Sequence, residues 1–143
     1  MIVGFNHTSF TVTDLERAVR FWAKLGFSGP GIVERDAAWV GDVTGVAGAR
    51  IRVAHLYGYA HHMEFIEYHG GQRDDPTTLP DLPGTGHVCL DVEDIHATFE
   101  DLLAAGATRL GKMTEINHPS MAPCSAGYLR DPNGIIIELL EKR

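Results

Sequence analysis

The chain contains itself twice. Displacing the sequence by 80 residues brings His7 onto His87, Phe10 onto Leu90, Val12 onto Val92, Asp14 onto Asp94, Leu15 onto Ile95 and Gly26 onto Gly106. A displacement of 74 residues lays His62-Met63-Glu64-Phe65-Ile66-Glu67 over Ile136-Ile137-Glu138-Leu139-Leu140-Glu141. The two matches run in the same order and differ by one six-residue deletion in the second copy, which is the mark of a duplication. Such a chain folds as two similar units, each building the same elements in the same order.

Each copy reads as a strand, a helix and then further strands. Residues 5–12 and 86–92 alternate apolar and polar side chains as strands do. Thr13-Asp14-Leu15-Glu16 has the form of a capping box, Leu15, Ala18, Val19, Trp22 and Leu25 follow helical spacing, and Gly26 suits the position just past the helix. In the second copy Ile95, Phe99, Leu102 and Leu103 mark the helix face and Gly106 its end. Strand-like stretches follow at 37–43, 49–57 and 62–68, then at 127–130 and 135–141, with a weaker signal over 109–114. Residues 70–84 carry three prolines and read as a linker. The fold class expected is α+β: one domain over 1–143, made of two tandem βαβββ modules at about 2–69 and 85–143 that form a curved mixed sheet around a cleft.

The repeat also makes a chemical statement. Its first strand offers His7 and His87, and its last strand offers Glu64 and Glu138. Two imidazoles and two carboxylates suit a divalent ion, Zn, Ni, Co, Mn or Fe, and a carboxylate in an otherwise apolar strand calls for a counter-charge. Alternation puts Glu64 and Ile66 on one face of their strand and Glu67 on the other. Of the eight histidines, His55, His61, His62, His69 and His96 have no repeat partner and read as ordinary polar residues; His118, in Asn117-His118-Pro119, is a candidate to reach a pocket. Trp39, Tyr57 and Tyr59 are candidate pocket walls. Arg50 and Arg52 alternate with Ile51 and Val53, either as a basic sheet face for an anion or as surface charges.

Composition narrows the partners. Acidic residues outnumber basic ones 19 to 12, for a net charge of −7, which argues against nucleic acid and anionic membrane and leaves a small-molecule substrate. No apolar run approaches the length of a membrane span, and the first residues lack the layout of a signal peptide. Two cysteines, Cys89 and Cys124, make no disulfide framework, so a cytoplasmic protein is expected.

The motifs Phe5-Asn6-His7-Thr8, Met63-Glu64-Phe65-Ile66-Glu67, Gly86-His87-Val88-Cys89-Leu90-Asp91-Val92, and Asp131-Pro132-Asn133-Gly134 before Ile137-Glu138-Leu139 resemble the vicinal oxygen chelate superfamily. That superfamily includes glyoxalase I, methylmalonyl-CoA epimerase, extradiol dioxygenases and resistance proteins for fosfomycin or bleomycin. The resemblance implies paired βαβββ modules and a metal site. The order His7, Glu64, His87, Glu138 is similar to that of bacterial glyoxalase I, although the Asn-Trp pair usual after the second ligand is absent from Ile66-Glu67-Tyr68-His69. Methylmalonyl-CoA epimerase generally has Gln where Glu64 stands, and its extra glutamate has no clear equivalent here.

On this reading the protein is a metal-dependent lyase or isomerase acting through an enediolate on a small carbonyl compound or thioester, with Glu138, or its counterpart Glu64, as the base. The alternative is an extradiol dioxygenase using His7, His87 and Glu138. Those enzymes carry a tyrosine ten residues before the glutamate, where Tyr128 stands; a turn with Gly134 left-handed would pair Tyr128 with Glu138 on one face. A third reading is a small-molecule-sequestering protein. Tyr128, Trp39 and His118 are the expected substrate-binding residues, and a homodimer is expected by resemblance.

Overall fold

The computed structural model describes residues 1–70, 79–117, 119 and 122–142, and the chain divides into two compact units, Met1–Asp74 and Asp75–Arg143. The first contains β1 (Thr8–Thr11), α1 (Leu15–Lys24), β2 (Ile32–Arg35), α2 (Trp39–Thr44), β3 (Ile51–Gly58) and β4 (His61–Tyr68). The second contains β5 (His87–Asp91), α3 (Ile95–Ala104), β6 (Thr108–Ile116), β7 (Cys124–Arg130) and β8 (Ile136–Lys142). Most of the linker expected at 70–84 lies outside the described residues.

Each unit forms one four-stranded sheet, in the orders β1-β4-β3-β2 and β5-β8-β7-β6. The first strand of each lies parallel to the last, and the remaining pairs are antiparallel. This pairing positions the chemistry. A helical crossover returns the chain so that the last strand lies beside the first, and histidine and glutamate become neighbours although more than fifty residues apart in sequence.

Alternation then assigns the faces. In the first sheet Val12, Ala54, Leu56, Met63 and Phe65 are buried together with Leu15, Ala18, Phe21 and Trp22 of α1, and the Trp22 ring stands 5.4 Å from that of Phe65. In the second, Leu129, Ile137 and Leu139 are buried, with Ile95, Phe99 and Leu102 of α3. Each such side chain withdrawn from water contributes roughly 1.5–3 kcal/mol. The opposite face of each sheet holds the histidine and the glutamate.

Three sequence expectations change or sharpen here. Asp14, not Thr13, caps α1, accepting from Arg17 N at 2.8 Å; the expected capping box does not form, because Glu16 pairs with Arg52. Its place is taken from across the sheet, where Glu67 accepts the Leu15 N–H at 2.8 Å. The second unit repeats the device, with Asp94 capping α3 and Glu141 accepting the Ile95 N–H at 2.8 Å. Glu67 and Glu141 therefore work on the helix side of each sheet, satisfying an N–H that the helix start leaves free.

The stretch at 37–43, expected as a strand, instead holds α2, while the strand forms earlier as β2. Val40 of this helix is fully buried against Ile51 and Val53, and a short helix with one apolar anchor satisfies that contact where a flat strand would not. Among the described residues, α2 has no counterpart in the second unit. The turn after β7 forms as expected: Asp131 Oδ1 accepts from Asn133 N at 2.8 Å and Ile135 N at 2.9 Å, Gly134 takes φ +90°, and Tyr128 stands opposite Glu138.

Candidate functional site

In the first unit His7 Nε2 lies 3.4 Å from Glu64 Oε1. The other ring nitrogen, Nδ1, is 2.7 Å from Asn6 Oδ1, and with that oxygen as acceptor Nδ1 carries the ring proton. An imidazole oriented through one ring nitrogen, with the other turned to a carboxylate, is the arrangement that metal-binding histidines use. Glu64 is only 16% exposed.

Two further histidines join this group. His55 stands opposite Glu64 in the β3–β4 register, with Nε2 3.7 Å from Glu64 Oε2 and Nδ1 3.0 Å from His62 Nε2. Burial, against the attraction of Glu64, pushes His55 below the ordinary histidine range, so it stays neutral. The histidine expectation is corrected on this point, since His55 and His62 are part of the Glu64 neighbourhood. The signal was available in the pairing: β3 and β4 meet across a two-residue turn at Tyr59-Ala60, which places His55 beside Glu64 and Tyr57 beside His62.

The second unit repeats the pair with different company. His87 Nε2 lies 3.1 Å from Glu138 Oε2, and Glu138 is 21% exposed. Opposite Glu138 stands Tyr128, whose ring centroid is 5.2 Å from that of His87. Burial first, and the Glu138 charge second, hold the Tyr128 hydroxyl above its ordinary range. The same two causes push the Cys89 thiol up to about 11. Both groups keep their protons at neutral pH.

Among the described residues, Glu64 and Glu138 have imidazoles as their only ion-pair partners and no lysine or arginine. Each unit thus offers one imidazole nitrogen and one carboxylate, a donor pair of the type divalent metals take. No group of three or more His, Cys, Asp or Glu side chains among the described residues is arranged as a metal-holding set; His55 and His62 extend the first pair as a chain of contacts, not as converging donors.

The other expected residues fall as follows. Trp39 opens α2 and is 51% exposed; the rings that stand against the His–Glu pairs are those of His62 and Tyr128. His118 lies outside the described residues. His61, His69 and His96 are exposed, His69 being 2.9 Å from Glu34. Arg52 is surrounded by Glu16, Glu34 and Glu67, so its charge is already balanced. No helix among the described residues is long and apolar enough to cross a membrane.

The strand order within each sheet agrees with comparisons to known proteins. Residues 4–139 match the model of the Glyoxalase/Bleomycin resistance protein/Dioxygenase superfamily. The chain belongs to this superfamily. A solved glyoxalase family protein from Bacillus cereus superposes with a TM-score of 0.86 at 23% identity, over 99% of this chain and 95% of that one. This superfamily chain is 31% identical to the 2-epi-5-epi-valiolone epimerase of an Actinomyces species, over 96% of its own length and 79% of the epimerase. It is 25% identical to the lactoylglutathione lyase of Pseudomonas putida, over 96% of its length and 84% of the lyase. The superfamily spans lyases, epimerases and resistance proteins, and its members commonly use divalent metals.

Proposed function

We propose that the protein is a metal-dependent lyase or isomerase that moves a proton on a carbon beside the carbonyl of a small carbonyl compound or thioester. His7, Glu64, His87 and Glu138 are the proposed donors to one divalent ion, Zn, Ni, Co, Mn or Fe. The observation that carries the reading is the recurrence of the same His–Glu contact at equivalent places in two sheets, at 3.4 Å and 3.1 Å. A divalent ion supplies electrophilic stabilisation of the negative charge that develops on a carbonyl oxygen during proton loss.

This chain's own residues do the rest. Glu138 is the proposed base, since its Oε2 lies 3.1 Å from His87 Nε2 and Tyr128 stands opposite it in the sheet. Glu64, among imidazoles, is the proposed permanent ligand. Kinship with both a lyase and an epimerase supports proton transfer as the shared step without choosing between them. A homodimer is part of the proposal, and sedimentation showing a stable, active monomer would remove it.

The deciding test is metal analysis of protein purified without added metal, for the wild type, His7→Ala and Glu138→Ala. Loss of metal from both variants supports the site; full retention in both overturns it. The second reading, an extradiol dioxygenase, draws on Tyr128 seated against Glu138 and His87. Oxygen uptake with catechols would establish it, whereas deuterium exchange at a substrate C–H without oxygen uptake establishes the isomerase class. Tight binding of a small molecule with neither activity would favour sequestration.

A further inference from the structure

Beside Glu64 the first sheet ends in stacked rings. Tyr57 lies over His62 with ring centroids 4.4 Å apart and planes 19° from parallel. The His62 ring is in turn 5.3 Å from that of His7, the proposed ligand. Tyr57 is 51% exposed, so the ring has surface open to a ligand. Among the described residues, this face of β3 and β4 carries His55, Tyr57, His62 and Glu64, and Arg35 of β2, opposite Ile51, stands on the same face.

The stack is held in place by a strained turn. Tyr59 and Ala60, which join β3 to β4, both take left-handed backbone angles, φ 52° and φ 61°, a conformation that L residues adopt at a cost. The Tyr59 ring braces the turn edge-on against Phe27, with centroids 5.6 Å apart. Gly58 lies so close to Phe27 that an added Cβ would come within 2.9 Å of its ring. The pairing of Tyr57 with His62 is therefore fixed from behind.

We infer that Tyr57, stacked on His62, is a specificity-determining residue that seats a planar group, aromatic or conjugated, next to the reacting carbonyl. The inference rests on the proposed metal-centred function and names the substrate class for it. A flat π surface attracts another flat group over its face, so the occupant is a planar substituent.

Two hydroxamates test this in binding, without turnover. Acetohydroxamate and benzohydroxamate present the same bidentate oxygens to a metal and differ in the planar ring. Calorimetric titration of metal-loaded wild type should show the benzo compound binding more tightly. In Tyr57→Ala that preference should shrink by about three- to tenfold, while the affinity for acetohydroxamate is unchanged. Tyr57→Phe should keep the preference. A preference unaltered in Tyr57→Ala, or an equal loss for both probes, overturns the platform while leaving the metal-centred reading in place. Failure of acetohydroxamate itself to bind metal-loaded protein overturns that reading, and the platform falls with it. The exposed position of Tyr57 makes loss of folding in the variants a minor concern, and circular dichroism checks it.

Discussion

The Glu64 and Glu138 neighbourhoods are copies in backbone and strangers in side chains. Each glutamate faces a histidine at the start of the adjacent parallel strand, His7 just before β1 and His87 as the first residue of β5. The residue across the antiparallel ladder differs: His55 opposite Glu64 and Tyr128 opposite Glu138. So does the residue beside each glutamate on the parallel strand, Ser9 in one sheet and Cys89 in the other. Duplication preserved what the strand pairing dictates and left the neighbouring positions free to diverge. As a result Glu64 sits among imidazoles, His55 held below its ordinary range by burial, while Glu138 sits beside a hydroxyl and a thiol that burial keeps protonated.

The sharpest way to break the comparison is to remove each carboxylate in turn. Glu138→Gln should slow solvent-deuterium exchange into a turned-over substrate by about 10²- to 10⁴-fold at saturating metal, whereas Glu64→Gln should act mainly through weaker metal binding. Equal losses in the exchange step would mean the two glutamates share one role. At the next level, His7→Ala and His87→Ala should each lower metal affinity by at least about tenfold, and by similar factors, because removing a ligand costs no less than disturbing the shell behind it. Equilibrium dialysis against a metal buffer measures this, and a large inequality would give one half-site most of the affinity.

Cys89 probes the second half-site by itself. With its thiol pushed up to about 11, alkylation by iodoacetamide should rise about tenfold per pH unit between roughly pH 7 and 10, because only the thiolate reacts. Glu138→Gln should speed the reaction at neutral pH by removing the negative neighbour. A rate that levels off near the ordinary thiol range would show that Glu138 does not face Cys89. The smallest effect concerns the helix side of the sheets. Glu67→Gln and Glu141→Gln should each destabilise by about 1 kcal/mol, read as lowered urea midpoints, because each carboxylate accepts a helix-start N–H. Glu67 also binds Arg52 at 3.3 Å, so its replacement should cost slightly more.

Much of this was readable in the chain. The two displacements exposed the duplication, alternation separated Glu64 from Glu67, and Asp131-Pro132-Asn133-Gly134 announced the turn that pairs Tyr128 with Glu138. What escaped reading has physical reasons. The Tyr59-Ala60 turn carries neither Asn nor Gly at its left-handed positions, so the usual hairpin signal was missing and His55 appeared unrelated to Glu64, while His62 was tied to it only by sharing its pleat parity. The stretch around Trp39 is too short and too evenly apolar for periodicity to separate helix from strand; the burial of Val40 on Ile51 and Val53 settled it. Likewise Thr13-Asp14-Leu15-Glu16 fits a local capping box, but Glu67, fifty-two residues away, supplies the carboxylate instead.

The sequence by itself determined the repeat, the elements that follow from period and punctuation, and the identity of the paired histidines and glutamates, because these depend on neighbours a few residues apart or on comparison of the chain with itself. Only the tertiary structure decided which side chains stand around Glu64. That choice depends on strand register, and register is set by turn geometry and by which face is buried, so His55 becomes the partner of Glu64 only when the sheet forms.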